Sequence, residues 1–373
     1  MDDRRKRTWA EIRLGAIEHN YRTMRARTAP GTKYMGIVKA DAYGHGAVTV
    51  SRLLEELGCD YLAVANLDEA RTLREAGIGL PVLILGYTPP EYAGELADRD
   101  VTQAVGGLGY AQALSHALTG TGKTLKIHVK LETGMGRTGF RAFGDSDLAV
   151  ATQAATLSGL RAEGVFTHFC VSDGDEEERP FTNVQMARFR EGVAAIETQA
   201  GYTFAIRHCA NSGAMLSFPE SYMDMVRPGV ALYGLYPGPD QGGLELIPAM
   251  ELKSRVAYVE THQPGDTISY GRTFTVERPS RIAVLPIGYA DGLHRALSNK
   301  LTVNIAGHKV PQVGRICMDM CMADVTGTDV KAGDVAEIFG RTINAGDVAD
   351  LCGTIHYELL CAVSPRVPRI YVD

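Results

Sequence analysis

No apolar run in the chain is long enough to cross a bilayer. The opening Met-Asp-Asp-Arg-Arg-Lys-Arg leads into Thr8-Trp9-Ala10-Glu11-Ile12 without the apolar core of a signal peptide. A cytoplasmic location and no membrane partner are expected. An excess of one charge is also missing: 38 Lys and Arg against 44 Asp and Glu leave a net charge of −6, and no basic run interleaves with aromatics. Nucleic acid is therefore not an expected partner. Cysteines are few and unpatterned, at 59, 170, 209, 317, 321, 352 and 361, an odd number with no C-x-x-C spacing. That argues for reduced, mostly buried thiols and against a disulfide framework or a metal site.

What the chain does have is core. Apolar residues make up 45% and charged residues 22% of 373, enough for two packed domains. From about residue 34 to 234, short β-rich runs alternate with helical patterns. The runs cover 34–39, 61–65, 82–86, 101–105, 125–131, 164–169, 206–209 and 225–233. Helix-like stretches such as 68–76, 110–118 and 183–199 lie between them, with Phe189, Val193 and Ile196 at helical spacing. Eight such units read as an α/β fold, a (β/α)8 TIM-type barrel; a doubly wound open sheet is the alternative, because periodicity does not reveal closure. After the Pro/Gly-rich stretch 234–239 the texture changes to β-rich runs at 252–259, 267–276, 282–287, 301–305 and 335–339, two of them preceded by turn signals such as Pro264-Gly265-Asp266. A mostly β C-terminal domain follows. The expected division is a barrel over 10–238 and a β domain over 239–373, to which residues 1–9 could attach. The acidic run from Asp173 to Glu178 reads as a solvated loop.

Lys39 ends the first run, just before the polar, Gly-rich turn Ala40-Asp41-Ala42-Tyr43-Gly44-His45-Gly46. A lysine where a barrel strand stops lies on the catalytic face, and a partly desolvated one can hold a cofactor aldehyde as a Schiff base. On position alone, a solvated cap is the commoner role. Four further rows end predicted strands. Arg137, in Lys130-Leu131-Glu132-Thr133-Gly134-Met135-Gly136-Arg137, offers a planar donor fork for a carboxylate or a phenolate. His168, in Phe166-Thr167-His168-Phe169, reads as a core histidine or a catalytic one. Asn211 and Ser212, in Ala210-Asn211-Ser212-Gly213, are small polar groups at a helix start and suit a phosphate. Arg227, in Met225-Val226-Arg227-Pro228-Gly229-Val230, falls beside them, and barrel phosphate sites often follow strands seven and eight. One lysine, two arginines, a histidine and a serine would then share one mouth.

Taken together, these rows resemble those of the alanine racemases, a family that binds pyridoxal 5'-phosphate. The resemblance runs from Trp9-Ala10-Glu11-Ile12 to Arg366-Val367-Pro368-Arg369. It implies a homodimer with shared active sites that interconverts L- and D-alanine and supplies D-alanine for peptidoglycan. Carried over residue by residue, Lys39 tethers the cofactor, while Tyr43 and Ser212 bind its phosphate with the backbone at Gly229 and Val230. Asn211 and Tyr357 lie around it, Arg227 meets the pyridine nitrogen, and His168 lies against the ring. Arg137 contacts the phenolic oxygen and the substrate carboxylate. Lys130 is the candidate for carbamylation, although Glu132 stands where the family usually has Asp.

The β domain carries the rest of the resemblance. Ile268-Ser269-Tyr270-Gly271-Arg272 resembles the motif of the second base, Tyr270, contributed by the partner subunit. Tyr289, in Pro286-Ile287-Gly288-Tyr289-Ala290-Asp291-Gly292, would narrow the substrate entrance together with Tyr357. The backbone at Met318, in Gly314-Arg315-Ile316-Cys317-Met318-Asp319, would bind the substrate carboxylate. Without the resemblance these tyrosines read as ordinary packing. The implied chemistry is coherent: an amino-acid α-proton is too weakly acidic for a side-chain base unless the carbanion is delocalised, and inversion needs a base on one face and an acid on the other. Crowding by two tyrosines favours a small substrate. The alternatives are a serine or broad-specificity racemase, a non-catalytic pyridoxal-phosphate-binding protein, and a decarboxylase of basic amino acids.

Overall fold

The computed structural model describes residues 3–239 and 242–373. Its first strand, β1 (Thr8–Arg13), belongs to the second of two large sheets. The first sheet begins with β2 (Lys33–Ile37) and continues through β3 (Tyr61–Val64), β4 (Val82–Ile84), β5 (Val101–Val105) and β6 (Leu125–Glu132). The two-residue β7 (Phe140–Arg141) pairs with the end of β6, and β8 (Leu160–Phe166), β9 (Ile206–His208) and β10 (Met225–Val226) follow. These strands are parallel, and β10 pairs with β2. Two main-chain bonds bridge β9 to the β10 segment, Asp224 N–H to Arg207 O at 3.1 Å and Arg227 N–H to Ala210 O at 2.9 Å. The sheet is thus a nearly closed barrel, not the open alternative. β3 and β4 are buried along their whole length, as expected of barrel strands covered by helices outside and side chains inside.

The helices follow from their spacing. In Leu67–Glu75 the buried positions are Leu67, Ala70 and Leu73, one stripe on an otherwise polar helix, and the Asn66 side chain caps its start by accepting from Glu69 N–H. The run expected at 225–233 as one strand stops at Val226. Pro228 has no N–H for a ladder, and 230–233 coils into a 3₁₀ turn.

The second sheet has nine strands. β11 (Met250–Arg255), β12 (Tyr258–His262), β15 (Ser280–Leu285), β16 (Thr302–Ile305), β17 (His308–Val313), β18 (Cys321–Asp324), β19 (Val335–Phe339) and β20 (Arg369–Val372) join β1, while β13 (Thr267–Ile268) and β14 (Phe274–Thr275) form a separate hairpin. The expected run 252–259 is divided between β11 and β12, and 267–276 is that hairpin with a 3₁₀ turn at Tyr270–Arg272. β1 is held between β11 and β20; Lys253 bridges Glu11 (2.5 Å) and Glu251 (2.9 Å) across the first of these pairs. Two helices not expected from the sequence, Ala345–Cys352 and His356–Ala362, lead from this domain to the barrel mouth.

Candidate active site

A cavity of about 910 Å³ opens at the C-terminal ends of the barrel strands. Lys39, Tyr43, Lys130, Arg137, His168, Asn211, Ser212, Arg227, Gly229, Val230 and Tyr357 all line it, so the rows quoted from distant parts of the sequence converge. Tyr270, Tyr289 and Met318 do not line it. They are 71%, 43% and 53% exposed on the β domain of the same chain.

Lys39 leaves β2 on an unusual backbone. Ala40, Asp41, Ala42 and Tyr43 have φ of 53°, 52°, 55° and 53°, and Gly44 has 78°, a left-handed turn that non-glycine residues adopt only when the surroundings insist. Three groups hold it. Glu69 accepts from Ala40 N–H and Ala65 N–H, both at 2.7 Å. The buried His45 donates from Nδ1 to the carbonyls of Ala42 (2.9 Å) and Tyr43 (3.0 Å) and stacks on Tyr233. Arg369 donates to Gly44 O at 2.8 Å. A Cβ at Gly44 would lie 2.7 Å from Leu360 O, so that glycine is required by close approach as well as by its φ. Burial, assisted by Arg137, lowers the Lys39 pKa.

Arg227 is buried at the bottom of the cavity, and burial pulls its pKa down to about 10. Its Nη2 donates to Thr167 O (2.8 Å), Cys209 O (3.1 Å) and His168 Nδ1 (3.3 Å), and its Nη1 to His208 Nδ1 (2.9 Å). Because guanidinium has no acceptor, both imidazoles must present an unprotonated Nδ1 to it. Burial and then the charge of Arg227 push the His168 and His208 pKa values well below the usual histidine range, which agrees with neutral rings. The His208 Nε2–H then faces His128 Nδ1 at 2.9 Å.

Ser212 Oγ accepts from Gly229 N–H (2.8 Å) and Ala231 N–H (3.4 Å). Asn211 caps the short helix Ser212–Ser217. A Cβ at Gly229 would lie 2.8 Å from the Tyr43 hydroxyl, so the missing side chain leaves room for that hydroxyl beside the Gly229 backbone. Glu132 folds back to accept from Gly134 N–H and from Arg137 N–H (3.2 Å), so the residue found in place of Asp anchors its own loop. Lys130 is buried over the Phe166 ring; burial, with Arg137 and Arg227, lowers its pKa to about 8.

Two sequence expectations need correction. Asp175 to Glu178 are exposed, but Asp173 of the same run lines the cavity, and burial raises its pKa. The cysteines are free thiols, yet only Cys59, Cys209 and Cys321 are buried, and Cys361 is an exposed residue of the cavity wall. Glu69, His45, His208, Asp173 and the helix carrying Tyr357 were not singled out as site residues. The His45 signal was present in the Tyr-Gly-His-Gly row, whereas Glu69 looks like any acidic residue in a helical first turn.

Family models match both domains. "Alanine racemase, N-terminal domain" matches residues 12–237, and "Alanine racemase, C-terminal domain" matches 249–371. The chain belongs to the alanine racemase family. An alanine racemase of Desulforamulus reducens is 45% identical over 98% of both chains, and that of Methanococcus maripaludis is 43% identical over 98% of both. Among solved structures, an alanine racemase of Clostridium difficile has a TM-score of 0.92 at 39% identity, covering 98% of this chain and 95% of that one. One from Bacillus anthracis with bound L-Ala-P has 0.92 at 34% identity, covering 99% and 95%.

Proposed function

We propose that the chain is a pyridoxal-phosphate-dependent alanine racemase that works with two bases, Lys39 and the partner subunit's Tyr270. The observation that carries this reading is the convergence of Lys39, Arg227, His168, Tyr43 and Ser212 on one cavity. The cavity fits the cofactor chemically. A lysine with lowered pKa suits an aldehyde. The Tyr43 and Ser212 hydroxyls beside a bare Gly229 suit a phosphate, and a buried arginine donor suits an unprotonated pyridine nitrogen.

When bound, pyridoxal phosphate supplies the conjugated electron sink that makes an amino-acid α-proton removable. Lys39 would hold the aldehyde, and its amine would move the α-proton on one face. Tyr270 moves it on the other. Arg227 can only donate, so it would meet the ring nitrogen as a donor and favour its unprotonated form. Arg137 and the Met318 backbone orient the substrate carboxylate. Tyr289 and Tyr357 crowd the entrance and favour a small side chain. Carbamylation of Lys130 is supported by its lowered pKa, because carbon dioxide adds to a neutral amine. The substrate assignment is supported by the relatives' names. No helix among the described residues is long and apolar enough to cross a membrane. We place the enzyme in the cytoplasm as a homodimer that supplies D-alanine for peptidoglycan.

The test is borohydride reduction of the reconstituted protein, peptide mapping, and turnover of alanine, serine and lysine. A reduced adduct on Lys39 with alanine as the preferred substrate is expected. An adduct elsewhere, or preference for a larger amino acid, would overturn the reading.

A further inference from the structure

The backbone that displays Tyr270 is strained at the residue before it. Ser269 has φ 65° and ψ −175°, a region occupied almost solely by glycine, and Gly271 (φ 70°) and Arg272 (φ 52°) are left-handed as well. A serine persists in such a conformation only where its surroundings fix it, and here its own side chain does so. Ser269 Oγ donates to Arg315 O at 2.6 Å and lies 3.3 Å from Cys317 Sγ. The loop it grips comes close enough that a Cβ on Gly314 would sit 2.8 Å from Ile268 O and 3.0 Å from Ser269 Cβ. The Arg315 guanidinium covers Gly271, where a Cβ would lie 3.1 Å from Cζ.

The gripped loop runs on to Met318. Cys317 O accepts from Tyr289 N–H and Met318 O from Ala290 N–H, both at 3.0 Å. The displayed residues Tyr270, Tyr289 and Met318 therefore hang from one junction, and the Ser269 hydroxyl ties the tyrosine turn to it. Glycine would satisfy the same φ and ψ without strain, but it would have no hydroxyl to make the tie.

We infer that Ser269 is a positioning residue: its hydroxyl sets the direction in which Tyr270 leaves the β domain, and hence the reach of that phenol to the substrate. The inference rests on Tyr270 being the second base. A residue that merely stabilises the turn would let activity follow stability, so glycine and alanine at 269 separate the two roles. Ser269→Gly relaxes the backbone and removes the tie; Ser269→Ala removes the tie and keeps the strain.

The experiment measures thermal unfolding of the cofactor-free variants, kcat and KM for racemisation, and α-proton exchange of each enantiomer in deuterated water. Ser269→Gly is expected to unfold no earlier than the parent protein, yet to lose about tenfold or more in kcat with little change in KM. Exchange on the Lys39 face should persist for one enantiomer while its inversion falls. Ser269→Ala should lose similar activity and unfold earlier. Parental racemisation by Ser269→Gly would overturn the inference, as would equal loss of exchange for both enantiomers. Tyr270→Phe is run in parallel. If it leaves inversion intact, the base assignment fails and the inference with it; if it abolishes inversion while Ser269→Gly is fully active, only the positioning role fails.

Discussion

The groups around Lys39 and those around Tyr270 are held in opposite ways. The first set sits inside a barrel, where Arg227 is 3% exposed and its Nη1 and Nη2 donate to four named acceptors. The second is displayed outward on short turns of the β domain, with Tyr270 71% exposed, and outside the cavity of its own chain. A buried polar site is preorganised but cannot supply a group on its open side; a displayed turn can supply one, to a neighbour. The contrast is what the proposed two-base reading requires, in which one copy of the chain carries two halves of different sites.

Substitutions on each side should separate the halves. Lys39→Ala, on the barrel side, should remove the borohydride-trapped adduct and lower racemisation by about 10⁴-fold or more, as expected for loss of both anchor and base. An adduct that survives at full yield contradicts the barrel-side role. Tyr270→Phe should leave cofactor absorbance intact and lower racemisation by about 10²- to 10⁴-fold, the usual range for a general acid or base. Loss of the absorbance would instead make Tyr270 a cofactor ligand. His208→Leu leaves Arg227 Nη1 buried without an acceptor, which should cost about 1–3 kcal/mol in denaturant unfolding of the cofactor-free protein. An unchanged midpoint would show that Arg227 is held by its other partners alone.

The smallest effect is a matter of pH. With its pKa lowered to about 8, Lys130 is neutral in about a tenth of molecules at pH 7, against about one in three thousand for an ordinary lysine. The reactive fraction rises as pH increases through 8. A carbamate carbon signal from labelled bicarbonate should therefore grow between pH 7 and 8. A signal independent of pH, or absent throughout, contradicts modification of this lysine.

The barrel was legible because its strands are short apolar runs ending in distinctive polar rows, and Lys39, Arg137, His168, Ser212 and Arg227 sit at those ends. What holds Lys39 was not. Ala40 to Tyr43 are ordinary L-residues, and nothing in their types announces a left-handed turn; it is held by the neighbouring His45 and by Glu69 and Arg369, which arrive from elsewhere in the chain. Asp173 was hidden within a run of acidic residues, only part of which faces solvent. The Tyr270 row read as strand because Thr, Ile, Phe and Val favour strands; the turn appears only once Gly314 and Arg315 are packed against it.

Mixing two inactive variants tests the division of the site most directly. Lys39→Ala and Tyr270→Phe chains, unfolded together and refolded with cofactor, should form hybrid dimers in which one of two sites has both bases. Random pairing then restores about a quarter of the parental activity. No recovery above the separate variants, with hybrid dimers shown to form, would mean that Lys39 and Tyr270 do not meet across two chains.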